Sequence, residues 1–442
     1  MWAPRPDPSP RWDLLEDAFD EARYQWLQRA SLLQSATLVS GQVAELHEER
    51  LRGAMDMLAY SHPRVSQRLL SLNLQEDDRE RVAVATLALL ARGDPESVAA
   101  VTKELRESPP ERREWVAEAM ALGESPALSG QLASLLGAGE EPELQAAALT
   151  VLTIQGHPPG GALLSGALGH AAPEVRLAAL RAARRWPLEA EAGRVRQGLE
   201  SGAPALRAAA LEAGLVQGQR AVWRACQAAT EAADGMGSTA RLLLALGGEE
   251  EDVARLVKLL DVPLLRRDTL WALGFSGRAV AAEACLTWLD DPLLGGLAAE
   301  AFRAITGLKL EGRFARERTE DDAIPPLEED LRTPLIPGPD DALPLAHASE
   351  VERWWGQARK GFEKGARVLG GRPFTAASLV EALEMVPMRR RPPLALELAI
   401  RTGGLQPVEP CTWVHVQRRQ LAEARSWRGG PALRPFSTWM SR

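Results

Sequence analysis

Five segments of this chain lie in register at a fixed interval, and that periodicity limits the fold more than any other feature. They are EPELQAAALTVL from Glu141, APEVRLAALRAA from Ala172, APALRAAALEAG from Ala203, VPLLRRDTLWAL from Val262 and DPLLGGLAAEAF from Asp291. Their prolines, Pro142, Pro173, Pro204, Pro263 and Pro292, are spaced by 31, 31, 59 and 29 residues. The double interval implies a copy without proline, placed at GSTARLLLALGG from Gly237. ERVAVATLALLARG from Glu80 and ERREWVAEAMALG from Glu111 extend the series upstream. Two residues after the proline stand Leu144, Val175, Leu206, Leu265 and Leu294, and seven after it Leu149, Leu180, Leu211 and Leu270. Proline suits a helix's first turn, where its missing N–H has no partner to lose. Each proline therefore predicts a helix start, with apolar residues following at helical spacing.

Between these helices lies a second set, including ALSGQLASLLGAG, PGGALLSGALGHA, LEAEAGRVRQGLESG, EEDVARLVKLLD and GRAVAAEACLTWLDD. Each ends near Gly or Asp, as helices commonly do. One repeat is thus two short antiparallel helices. A lone pair cannot bury its apolar face, but stacked pairs build a continuous core. The composition agrees: Ala and Leu dominate and long β-branched runs are missing, so the expectation is all-α. About eight pairs are expected over residues 78–308.

The flanks read differently. Residues 1–77 contain WDLLEDAFDEARYQWLQRASLL and LVSGQVAELHEERLRGAMDML, amphipathic segments that do not fit the repeat and are expected to form an N-terminal cap. Residues 309–349 include TEDDAIPPLEEDLRTPLIPGPDDALP, an acidic, proline-rich stretch expected to be a linker or strap. Residues 350–442 turn helical again and are expected to form a small separate domain ending in a loosely held tail.

The pattern DPxVRxxALxALG, best matched by Ala172–Ala183 and Val262–Gly274, resembles HEAT repeats of the short bacterial type. The resemblance implies a right-handed α-solenoid and assigns Arg176, Arg207 and Arg266, which share one repeat position, to a structural ladder between repeats. Taken with DEARYQWLQRASLL, AITGLKL, VERWWGQARKGF, GRPFTAASLVEALE and ALELAIR, the whole chain is similar to a bacterial HEAT-repeat family of unknown biochemical function. Genes of that family often sit in type VI secretion clusters. The resemblance implies a protein partner, a secretion effector or spike component. The chain departs from the family at its N-terminal segment and at LQPVEPCTWVHV.

Searching for chemistry yields no catalytic signature. The six histidines form no HxxxH, HExxH or HxH pair, and there is no GxSxG elbow or P-loop. VLGGRP at 368–373 reads as a turn between helices, without the strand a dinucleotide site needs. Cys226, Cys285 and Cys411 are isolated, which fits a reducing compartment. The carboxylate runs at 249–252 and 290–291 sit where helix caps belong. The formal net charge of −8 disfavours a general nucleic-acid binder. The opening MWAPRPDPSPRWD has no apolar signal core and no run is long enough to span a membrane, so a cytoplasmic protein is expected. No enzyme activity, cofactor or metal is expected. What remains is protein binding. Arg181, Arg184, Glu212, Trp271 and Arg303 fall on one stripe of the proline-started helices, a candidate groove face. Trp354 and Trp355, with the basic runs at 388–393 and 417–419, form a second candidate, since tryptophan and arginine are enriched at interfaces. Two other readings stay open: a HEAT-like lyase or isomerase acting on tetrapyrroles, which needs an acid–base or thiol group facing a cleft (an exposed Cys226 or Cys285 in the thiol version), and a helical-repeat nucleic-acid reader.

Overall fold

The structure is a computed structural model, and it describes residues 10–137, 139–317 and 340–440. These residues are predominantly α-helical, with two two-stranded antiparallel ribbons. The chain divides into two compact units. Unit 1 comprises residues 1–33, 40–183 and 411–418; unit 2 comprises residues 34–39, 184–410 and 419–442.

In unit 1 the proline-started helices Pro110–Met120, Pro142–Gln155 and Pro173–Ala183 stack in sequence after Arg79–Arg92. In unit 2 Pro204–Val216, Gly235–Gly247, Pro263–Leu273 and Gly295–Thr306 do the same. Pro110, Pro142 and Pro204 each occupy the first helical turn, as does Pro263. The copy without proline starts instead at Asp234, whose carboxylate accepts the Gly237 N–H at 3.0 Å. Pro292 breaks the rule. Asp291 Oδ1 accepts the N–H groups of Leu293 and Leu294 in a turn, and the helix begins at Gly295. The run at 249–252 is a capping box between Glu249 and Asp252. The 79–92 helix also packs on Ser66–Leu70 and Ser71–Asn73, residues expected in the cap.

Of the expected ladder arginines Arg207 pairs with the next repeat, and Arg241 and Arg113 do the same at other repeats. Arg207 donates to the Ser201 and Gly202 carbonyls at 2.8 and 3.1 Å and pairs with Asp234 one repeat on. Arg241 donates to the Thr230 and Ala232 carbonyls, each at 2.8 Å, and pairs with Asp268 at 3.1 Å. Arg113 repeats the geometry in unit 1 with Ser108 and Glu141. Arg266 donates to the Leu260 carbonyl at 2.8 Å and lies 4.2 Å over the Trp288 ring. Arg176 departs from this pattern: its buried Nε has no hydrogen-bond partner. Arg113, Arg207, Arg241 and Arg266 thus satisfy carbonyls left over where the preceding helix ends.

The expected boundaries at 308/309 and 349/350 do not coincide with the division into units. Trp355, Phe436 and Met440 share one apolar core with Leu211, Leu244, Leu270 and Phe302 of the repeat helices. The stretch RGGPALRPFSTWMSR, expected as a loose tail, is anchored through residue 440. Phe436 is fully buried, edge-on to Trp223 at 5.4 Å and to Trp439 at 5.8 Å. Burial of Phe436 and Met440 offsets part of the ordering entropy of this stretch. Of the 309–349 linker, residues 318–339 lie outside the described residues. Its two ends pair, Ala315–Arg316 with Leu345–Ala346. VLGGRP is not a bare turn but a hairpin, Val368–Leu369 paired with Arg372–Pro373. Gly370 and Gly371, at φ 58° and 74°, supply the left-handed pair that a tight two-residue hairpin needs.

Candidate binding surfaces

In unit 2 the stripe around Trp271 faces arginines from far along the chain. Arg389 lies 4.6 Å and Arg390 5.3 Å from the Trp271 ring, and Arg390 is 4.0 Å from Phe275. The basic run at 388–393, expected as solvated or interfacial, is internal: Arg390 and Arg391 are buried. Arg390 donates to the Gly274 carbonyl at 2.8 Å, where the Pro263–Leu273 helix ends. Arg367 donates to the next two carbonyls, Phe275 and Ser276. Arg401 donates to the Leu246 carbonyl at 3.0 Å, near the end of Gly235–Gly247. The amides of Gly370 and Gly371 donate to Ala304 and Ile305, at the end of Gly295–Thr306. Three successive repeat helices therefore have their terminal carbonyls satisfied by residues 367–401.

Two carboxylates balance this chemistry unequally. Glu397, fully buried, takes a bidentate pair from Arg367 and a 2.7 Å bond from Arg401. Burial alone would raise its pKa, but the two guanidinium groups hold it below the usual carboxylate range. Burial pushes Arg401 down to about 10, still charged at neutral pH. Glu300 is also buried, yet neither carboxylate oxygen makes a hydrogen bond. It stands 3.7 Å from Arg389 and 3.9 Å from Arg390, and burial raises its pKa. Arg389 pairs instead with Asp340 at 2.8 Å, which also binds Arg267.

The remaining candidate residues scatter. Arg184 and Glu212 pair with each other at 2.6 Å. Trp355 is buried on Phe302 and Phe362, with Trp354 beside it, so both tryptophans serve packing. Arg181 and Arg303 are exposed. Cys226 and Cys285 are fully buried, and burial pushes the Cys285 thiol up to about 12 and the Cys226 thiol higher. Neither meets the exposure that a thiol-dependent lyase requires. Among the described residues no group of His, Cys, Asp and Glu could hold a metal ion, and no helix is long and apolar enough to cross a membrane.

Unit 1 offers a surface that sequence reasoning passed over. The Trp12–Leu33 helix buries Leu15, Phe19, Ala22 and Trp26 against Glu49–Ala59. Its opposite face exposes Leu14, Tyr24 and Leu27 among Asp13, Glu16, Asp17 and Asp20. Leu14 joins Met57 and Tyr60 around an open depression of about 600 Å³, lined also by Arg11, Asp56 and His62. Tyr60 is 77% exposed and stands beside the exposed Leu14 and Met57. The signal was present in WDLLEDAFDEARYQWL: apolar residues recur on two faces of the helix, where a cap needs only one.

No family model matches the chain, and no curated protein matches it in sequence. Among solved structures, it is similar to YibA of Escherichia coli at 11% identity and a TM-score of 0.32, covering 68% of this chain and 98% of that one. It is also similar to human deoxyhypusine hydroxylase in complex with glycerol, at 19% identity and a TM-score of 0.25, covering 54% and 94%. At those TM-scores neither likeness bears on fold or function.

Proposed function

We propose that this chain is a non-enzymatic protein-binding scaffold of the cytoplasm, and that its stacked pairs are stretches of a right-handed, HEAT-like α-solenoid. Its docking surface is the outer face of the Trp12–Leu33 helix together with the Met57–Tyr60 depression. The exposed Leu14, Tyr24 and Leu27 interleaved with four acids carry this reading. Such a face is complementary to a basic amphipathic helix, whose apolar anchors would enter the depression while its cations meet the acidic rim. The resemblance to a family encoded in type VI secretion clusters supplies the partner class, an effector or spike component for which the chain acts as a chaperone-like accessory. The acidic face speaks against nucleic acid as the ligand.

The experiment is a stoichiometric pull-down from the native organism, comparing the wild type with Leu27→Asp and Tyr60→Asp. A partner recovered in near-equal amount by the wild type and lost by both variants supports the reading. A partner retained by both variants moves the interface elsewhere, and no partner at all removes the scaffold role.

A further inference from the structure

A cavity of about 170 Å³ opens in unit 2 at the start of the Ala279–Leu286 helix. At ~30 Å³ per water it has room for roughly five. Three cations line it, Arg278, Arg359 and Lys364, against two carboxylates, Glu250 and Glu283. Glu283 is already bonded by Arg359. Arg278 is the unusual member. It is only 9% exposed, its Nη1 donates to the Gly365 carbonyl, and its Nε is buried without any acceptor. Among the described residues no carboxylate forms an ion pair with it. Arg367 lies close enough to repel it, Glu250 and Glu249 lie close enough to attract it without pairing, and Arg367 and Arg401 already share the carboxylate Glu397. A buried cation with no carboxylate paired to it is costly unless something completes its neutralisation. The Ala279–Leu286 helix adds two first-turn amides, Ala279 and Val280, which have no acceptor within the helix.

From this convergence we infer that the cavity is a binding site for a small oxyanion of the phosphate type, held by Arg278 from below and by Lys364 from the rim. The guanidinium offers the fork of donors that suits a phosphate, and the helix start adds amides with a favourable dipole. Glu250 faces the same space and sets an upper limit on affinity, since it repels the anion it would neighbour.

The test is calorimetric titration of inorganic phosphate into the full chain at low ionic strength, with chloride at matched ionic strength as the reference. Saturable one-site binding by phosphate and none by chloride is expected. Lys364→Ala, an exposed position that leaves the fold intact by melting temperature, weakens it about tenfold, the loss of one charge-assisted bond. Glu250→Gln strengthens it. Glycerol phosphate distinguishes the source: tighter binding than inorganic phosphate assigns the site to an esterified phosphate, and weaker binding to the free ion. Absence of saturation, equal binding of chloride, tighter binding of acetate than phosphate, or unchanged affinity in Lys364→Ala each overturns the assignment.

Discussion

Unit 1 and unit 2 share a construction, stacked helical pairs laced by arginines, but they leave different surfaces. In unit 2 residues 367–401 satisfy the carbonyl ends of three repeat helices, and Phe436 closes the core behind them. In unit 1 Gln155 Nε2 donates to the Met120 and Gly123 carbonyls at 2.7 and 2.8 Å, and Trp413 Nε1 to the Leu122 carbonyl at 2.8 Å. Its first helix then leaves an apolar and acidic face open. The contrast separates two uses of arginine and aromatic residues. Where they meet helix ends inside a core they hold the fold, and where apolar residues lie open among acids they form the docking face proposed above.

The largest expected effect breaks the internal side of this comparison. Glu397→Ala leaves Arg367 and Arg401 buried without a counter-charge and should cost about 3–5 kcal/mol in urea unfolding. Its pH dependence has a definite sign. The folded pKa lies below the unfolded one, so the contribution is present above about pH 4 and is lost as pH falls through the folded value. The acid limb of the wild-type stability curve should therefore flatten in Glu397→Ala; an unchanged limb would mean the pair contributes little. Gly247→Ala comes next. A Cβ at that position collides with the Phe436 ring, and overpacking of this kind costs about 1–3 kcal/mol. Limited proteolysis should then cut within residues 429–440, where the wild type resists.

Removing a ladder rung is of similar or smaller size. Arg241→Ala strands two carbonyls and should cost about 1–3 kcal/mol, whereas Arg303→Ala, on the exposed stripe, should change stability by no more than about 0.5 kcal/mol. Equal effects would erase the distinction between ladder and stripe. Tyr60→Asp should leave the melting temperature nearly unchanged, because 77% of that residue is already in water.

Much of the repeat architecture was legible in the sequence because it is local: a proline or aspartate at a helix start, leucines at fixed offsets, glycine at the stops. The placement of the C-terminal segment was not. Arg390 meets Gly274 and Arg401 meets Leu246 across more than a hundred residues, and a run such as MRRRPP looks solvated when read by itself. One sign was available. In RPPLALELAIR the charges Arg391, Glu397 and Arg401 sit in an otherwise apolar helix, and a helix apolar on nearly all sides must be buried, with its charges paired. The open face of unit 1 was readable in the same way, from exposed apolar residues that no core required. Deleting residues 350–442 is consequently a poor probe of binding, since it removes Trp355, Phe436 and Met440 from the core of unit 2.

Point variants on the surface of unit 1 avoid that problem, and quantitative pull-down with Tyr60→Asp beside the wild type tests the scaffold reading most directly. The account predicts a partner at near-equal amount with the wild type and its loss with a variant that melts at the same temperature. Equal recovery by both proteins would contradict it.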